Sequence, residues 1–112
     1  TLFRNPDTVR APDVAFIRTE RIPAEPMYTY PEFAPDLAVE VLLPSDRAGQ
    51  VLSKVGDWLD AGARLVWIVD PLRRLARVYR ADKTVSSLSA DGTLDGEDVL
   101  PELRIPVASM ID

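Results

Sequence analysis

At 112 residues, 46% of them hydrophobic, the chain is sized for one domain with a packed core, burying roughly two thirds of its unfolded surface, and it is not a disordered segment. It has no cysteine and no histidine, which excludes disulfides, thiolate metal sites, Ser-His catalysis and imidazole-bound zinc. A net charge of -5 argues against bulk attraction to nucleic acid, while leaving room for a local basic surface.

Any metal would therefore be held by oxygen ligands, which suits Mg²⁺, Mn²⁺ or Ca²⁺. No run approaches the about 20 apolar residues of a membrane span, so no membrane association is expected. No secretory signal pattern opens the chain, and a cytoplasmic location is expected. The chain begins at Thr1 in a loop-like stretch without an initiator methionine, as a fragment would.

Thr1 to Pro12 has no periodic apolar pattern and reads as a leading loop. Asp13 to Arg18 reads as a strand, with Val14 and Phe16 on one face and Asp13, Ala15 and Ile17 on the other. Thr19 to Pro35 holds Pro23, Pro26, Pro31 and Pro35, which rule out a regular helix or central strand. Its Tyr28, Tyr30 and Phe33 suggest a long connection packing aromatic rings on a sheet.

Asp36 to Leu42 is short and mostly apolar, a buried strand. Leu37, Val39 and Val41 share one face; Asp36, Ala38, Glu40 and Leu42 share the other. A helix follows, with Ser45 or Asp46 as N-cap after Pro44, and Gly62 where a left-handed C-terminal residue is wanted. Ala48, Val51, Leu52, Val55 and Leu59 form its apolar stripe, and Lys54 lies on the flank of that stripe, one turn before Trp58. Leu65 to Asp70 is a near-continuous apolar strand. Strand, crossover helix and strand predict a βαβ unit with parallel strands.

Asp70 to Arg74 reads as a turn and Leu75 to Arg80 as an antiparallel strand with one wet face. Thr84 to Ser89 is a weaker strand. Asp91-Gly92 signals a turn. The remaining apolar residues, Leu94 to Val107, are spaced irregularly and suit a short strand and a tail covering the core.

Asp13 and Glu40 are the candidate site. Each lies on the strand face opposite the largest apolar residues, and two paired strands would let both carboxylates converge on one hard cation. Mg²⁺ binds through a few carboxylate contacts and keeps positions for water and phosphate. Such an ion lowers the pKa of water and neutralises charge developing on a phosphate, and Lys54 could orient that water or offset phosphate charge. Ordinary readings stand beside these. Asp13 follows Pro12 and can be a turn residue, as can Asp36 after Pro35. Glu40 can face solvent at a sheet edge, although a mid-strand acid is rarely buried without partners. Lys54 can be a solvated helix residue. Trp58 and Trp67 read as core, and Asp70 as the close of a strand before Pro71.

Four segments carry a resemblance. Val9-Arg10-Ala11-Pro12-Asp13-Val14-Ala15-Phe16, then Pro35 to Val41, then Lys54, then Gly62-Ala63-Arg64-Leu65-Val66-Trp67-Ile68-Val69-Asp70-Pro71 resemble the Uma-type restriction endonucleases. These form a mainly bacterial family of the PD-(D/E)XK nuclease superfamily. Asp95 to Pro101 and Arg104 to Val107 match as well, so the likeness covers nearly the whole chain.

The resemblance implies an α/β fold, a restriction-endonuclease-like mixed β-sheet flanked by helices. It implies a single nuclease-like domain over residues 1–112, truncated by the N-terminal helical region that members usually carry. It makes Asp13 the first metal carboxylate and Glu40 the second. The superfamily usually places its lysine two residues after that acid, where this chain has Leu42; Lys54, on the following helix, is the matching position. Leu43 stands where the family commonly has a serine.

Two functions are thus expected as alternatives. The first is a Mg²⁺-dependent DNA endonuclease, with Mn²⁺ as a substitute metal, Asp13 and Glu40 as ligands and Lys54 assisting. DNA as partner comes from the resemblance alone, and a homodimer suits the cutting of both strands of a duplex. The second is a non-catalytic nuclease-fold module serving binding or assembly. Some other metal-dependent hydrolase has no supporting motif.

Overall fold

The computed structural model describes residues 13–18, 20 and 35–112. The leading loop, and Tyr28, Tyr30 and Phe33 of the proline-rich connection, lie outside the described residues. Among those described, five strands form one mixed sheet in the order β1 (Val14–Phe16), β2 (Leu37–Val41), β3 (Leu65–Asp70), β4 (Leu75–Arg80) and β5 (Val85–Ser89). β1 is antiparallel to β2, β2 and β3 run parallel, and β4 and β5 follow antiparallel. The parallel pair is joined by helix α1 (Ala48–Asp60), which completes the expected βαβ unit. The α/β mixed-sheet fold thus stands as expected, with the first strand shorter than Asp13 to Arg18.

The period-two alternation of β2 sorts its side chains cleanly between two cores. Leu37 and Val39 join Leu65, Trp67, Val69, Ala76 and Val78 on one face. That face is covered by β6 (Thr93–Asp95) and β7 (Arg104–Pro106), paired antiparallel, and by the single-turn helix α2 (Ala108–Ile111). Leu94, Val99 and Val107 close it. The expected short strand and covering tail are therefore two strands and a helical turn.

Ala38, Val66 and Ile68 face the other way and pack against Val55 and Trp58 of α1. The observed stripe of α1 runs through Val51, Val55, Trp58 and Leu59, whereas Leu52 is 56% exposed and Ala48 is exposed. Trp58 displaces them because its larger ring, at helical spacing from Val55 and Val51, covers more apolar sheet.

Neither expected N-cap caps α1. Arg47 occupies that position without a side-chain hydrogen bond, and Asp46 instead accepts the Leu43 N–H at 2.7 Å. The C-terminus follows expectation: Gly62 has φ 115° and its N–H reaches the Leu59 carbonyl, while Ala63 N–H reaches that of Trp58. This double closure satisfies two carbonyls the helix would leave open.

Candidate functional site

β2 lies between β1 and β3, so Glu40 is not on a sheet edge. The solvent-facing reading is overturned: Glu40 is 8% exposed, beneath α1. Val14 stands opposite Val39 in the β1–β2 ladder, and one further step sets Asp13 opposite Glu40. Directly opposed residues in an antiparallel pair share a face and lie close together. Asp13 lies just before β1 and its charge acts on Glu40, so the two sequence-predicted carboxylates are neighbours at this end of the ladder.

Each is engaged within the protein. Asp13 Oδ2 accepts the Val41 backbone N–H at 2.6 Å, which gives this acid a strand-pinning role as well. Glu40 Oε1 accepts the indole N–H of Trp58 at 3.1 Å. Burial pushes the Glu40 carboxyl above the ordinary glutamate value. The Trp58 N–H and the Lys54 ammonium act against that rise, and the Asp13 and Asp46 carboxylates add to it. Glu40 is the point on which all four groups act.

Lys54 is exposed, one turn before Trp58 on the same flank of α1. Its exposure agrees with the solvated-residue reading, and its ammonium charge acts on the Glu40 carboxylate. Asp46 and Lys54 also line a shallow groove with Gly49, Gln50, Val51 and Ser53. Asp36 stands apart. It is 2% exposed and accepts the Arg18 backbone N–H at 2.7 Å, tying the outgoing end of β1 to β2. Asp70 closes β3 as expected, and holds both the backbone and guanidinium of Arg73.

The donor chemistry fits a hard cation. Glu40 Oε2 and Asp13 Oδ1 carry no hydrogen bond among the described residues, and two carboxylate oxygens with water in the remaining positions are a common way to hold Mg²⁺. No group of three or more acidic residues that could hold a metal occurs among the described residues.

Sequence reading placed Trp58 in the core but missed its bond to Glu40, and gave Asp46 only a capping role. The signal for Trp58 was present: a buried indole N–H needs an acceptor, and Glu40 is the mid-strand acid facing the helix.

No curated protein matches this chain. A crystal structure of a "putative nuclease" from Anabaena variabilis superposes with a TM-score of 0.73 at 23% identity, over 91% of this chain and 59% of the other. At that identity the likeness speaks for the fold, and the chain spans about three fifths of that neighbour's length. A family model, Uma2, described as "Putative restriction endonuclease", matches residues 1–108, and the chain belongs to that family.

Proposed function

We propose that the chain is the catalytic part of a Mg²⁺-dependent DNA endonuclease, with Mn²⁺ able to replace Mg²⁺. The observation that carries this reading is the cross-strand placement of Asp13 against buried Glu40, with the charge of Lys54 reaching the same carboxylate. Hydrolysis of a phosphodiester puts a water oxygen on phosphorus, breaks one P–O ester bond and delivers a proton to the leaving alkoxide. Asp13 and Glu40 would hold the ion, whose chemistry when bound is to lower the pKa of water and to neutralise phosphate charge. The Trp58 N–H holds Glu40 through Oε1 and leaves Oε2 for the ion. Lys54 offsets charge on the phosphate from the helix side. Membership of a restriction-endonuclease family supports DNA as the substrate.

The test is calorimetric titration of Mg²⁺ or Mn²⁺ into this chain and into Glu40→Ala, followed by a plasmid-nicking assay. Saturable binding that vanishes in the variant, with nicking that vanishes alongside it, is expected. Binding that survives Glu40→Ala sinks the assignment.

A second reading, a nuclease-fold module serving binding or assembly as a homodimer, is favoured by the internal hydrogen bonds that both carboxylates already carry. It predicts no cation binding and no nicking, with self-association in the analytical ultracentrifuge.

A further inference from the structure

The sheet face that carries Glu40 continues past α1. Glu40 is registered with Ile68, Ile68 with Arg77, and Arg77 with Ser87, so one transverse row crosses β2 to β5. Arg77 is half-buried in that row. Arg18, Arg73, Arg74 and Arg80 each pair with an acid, at 2.8, 3.2, 2.9 and 2.8 Å. The Arg77 side chain makes no hydrogen bond or ion pair among the described residues. A partly desolvated guanidinium without an acceptor costs stability, and a folded chain that keeps one has an anion-ready position.

The surroundings suit an anion. Val85, Ser87 and Ser89 are exposed on this face of β5, which contributes hydroxyl groups and no carboxylate. Two strand spacings separate Arg77 from Glu40, roughly 10 Å. That span corresponds to about three nucleotides of rise along one strand of a duplex. We infer that Arg77, with Ser87 beside it, holds a backbone phosphate a few nucleotides from the bond acted on at Asp13 and Glu40. The inference rests on the nuclease reading and names a binding position for its substrate. It also gives an acidic protein a local way to meet a polyanion.

The experiment is fluorescence anisotropy of a short labelled DNA duplex with the full chain, in chelator so that nothing is cut, over a series of NaCl concentrations. Arg77→Gln should lower the slope of log affinity against log salt by about one and weaken binding to different sequences alike. Its melting temperature should equal or exceed that of the wild type. Ser87→Lys, at an exposed position where folding is not at stake, should raise the slope by about one, whereas Thr93→Lys on the far side should not. An unchanged slope in Arg77→Gln overturns the inference, as does an equal rise from both lysine variants or a wild-type chain that binds no duplex. Nicking assays separate the two claims. Glu40-dependent nicking with an unaltered KM in Arg77→Gln defeats the Arg77 position alone; no nicking by the wild type defeats the nuclease reading beneath it.

Discussion

Glu40 holds its place against a steady desolvation cost. Burial raises its folded-state pKa above the unfolded value. The folded chain therefore binds a proton that the unfolded chain has released, in the window from the ordinary glutamate value of about 4.3 up to the raised one. Stability associated with this group is complete below that window and falls as pH rises through it. Glu40→Gln keeps an acceptor for the Trp58 N–H and removes the charge, so its melting temperature at pH 7 should equal or exceed the wild type's. That margin should close as the pH is brought toward 4. A variant less stable than the wild type at pH 7 would refute this. Trp58→Phe keeps most of the ring and removes the donor, leaving a buried carboxylate oxygen unsatisfied. The expected loss is about 1–3 kcal/mol in urea unfolding, with the Glu40 carboxyl titrating higher still by NMR. No change in either readout would mean that the 3.1 Å bond contributes nothing.

Among the elements, the βαβ unit was the most legible from sequence. A near-continuous apolar run over Leu65 to Asp70, a helix punctuated at Gly62 and an alternating Leu37 to Val41 leave little other choice. Periodicity also split the two faces of β2 correctly, because a strand's period is fixed by its geometry. What it could not weigh was competition on one helix. Leu52 and Trp58 are both apolar at acceptable spacing, and the choice between them is made by the sheet beneath, which is a tertiary fact. The N-cap failed for a related reason: Asp46 had a closer backbone donor in Leu43. Gly62 offers a direct check on the element it ends. Its φ of 115° is disfavoured for any side chain, so Gly62→Ala should destabilise the domain by about 1–3 kcal/mol in chemical denaturation. A loss below a few tenths would show that the helix end relaxes freely.

At the scale of the molecule, the sheet is stable only if both faces are covered, and different parts of the chain cover them. Residues up to Leu65 supply α1 and its layer; residues after Asp91 supply β6, β7 and α2. Leu94 is wholly buried between the small sheet and the large one. Leu94→Ala should therefore cost about 2–5 kcal/mol and broaden or lower the thermal transition of the whole chain. An effect confined to the last twenty or so residues in hydrogen exchange, with the large sheet untouched, would show that the covering layer unfolds on its own. The proposed cation position and the proposed DNA substrate were not legible in composition. A net charge of -5 pointed away from nucleic acid, and only the register of strands distant in sequence brings Asp13, Glu40 and Arg77 to one face.

The two tryptophans sit on opposite faces of that sheet, Trp58 bonded to Glu40 and Trp67 sealed in the other core with no partner for its indole N–H among the described residues. Indole emission responds to the charge and polarity beside the ring. A cation held at Glu40, as proposed, or a proton taken up there, would change the field at Trp58 and leave Trp67 in its apolar surroundings. The protein thus carries its own optical gauge: one chromophore that reads the carboxylate and one that serves as an internal reference, with no label added.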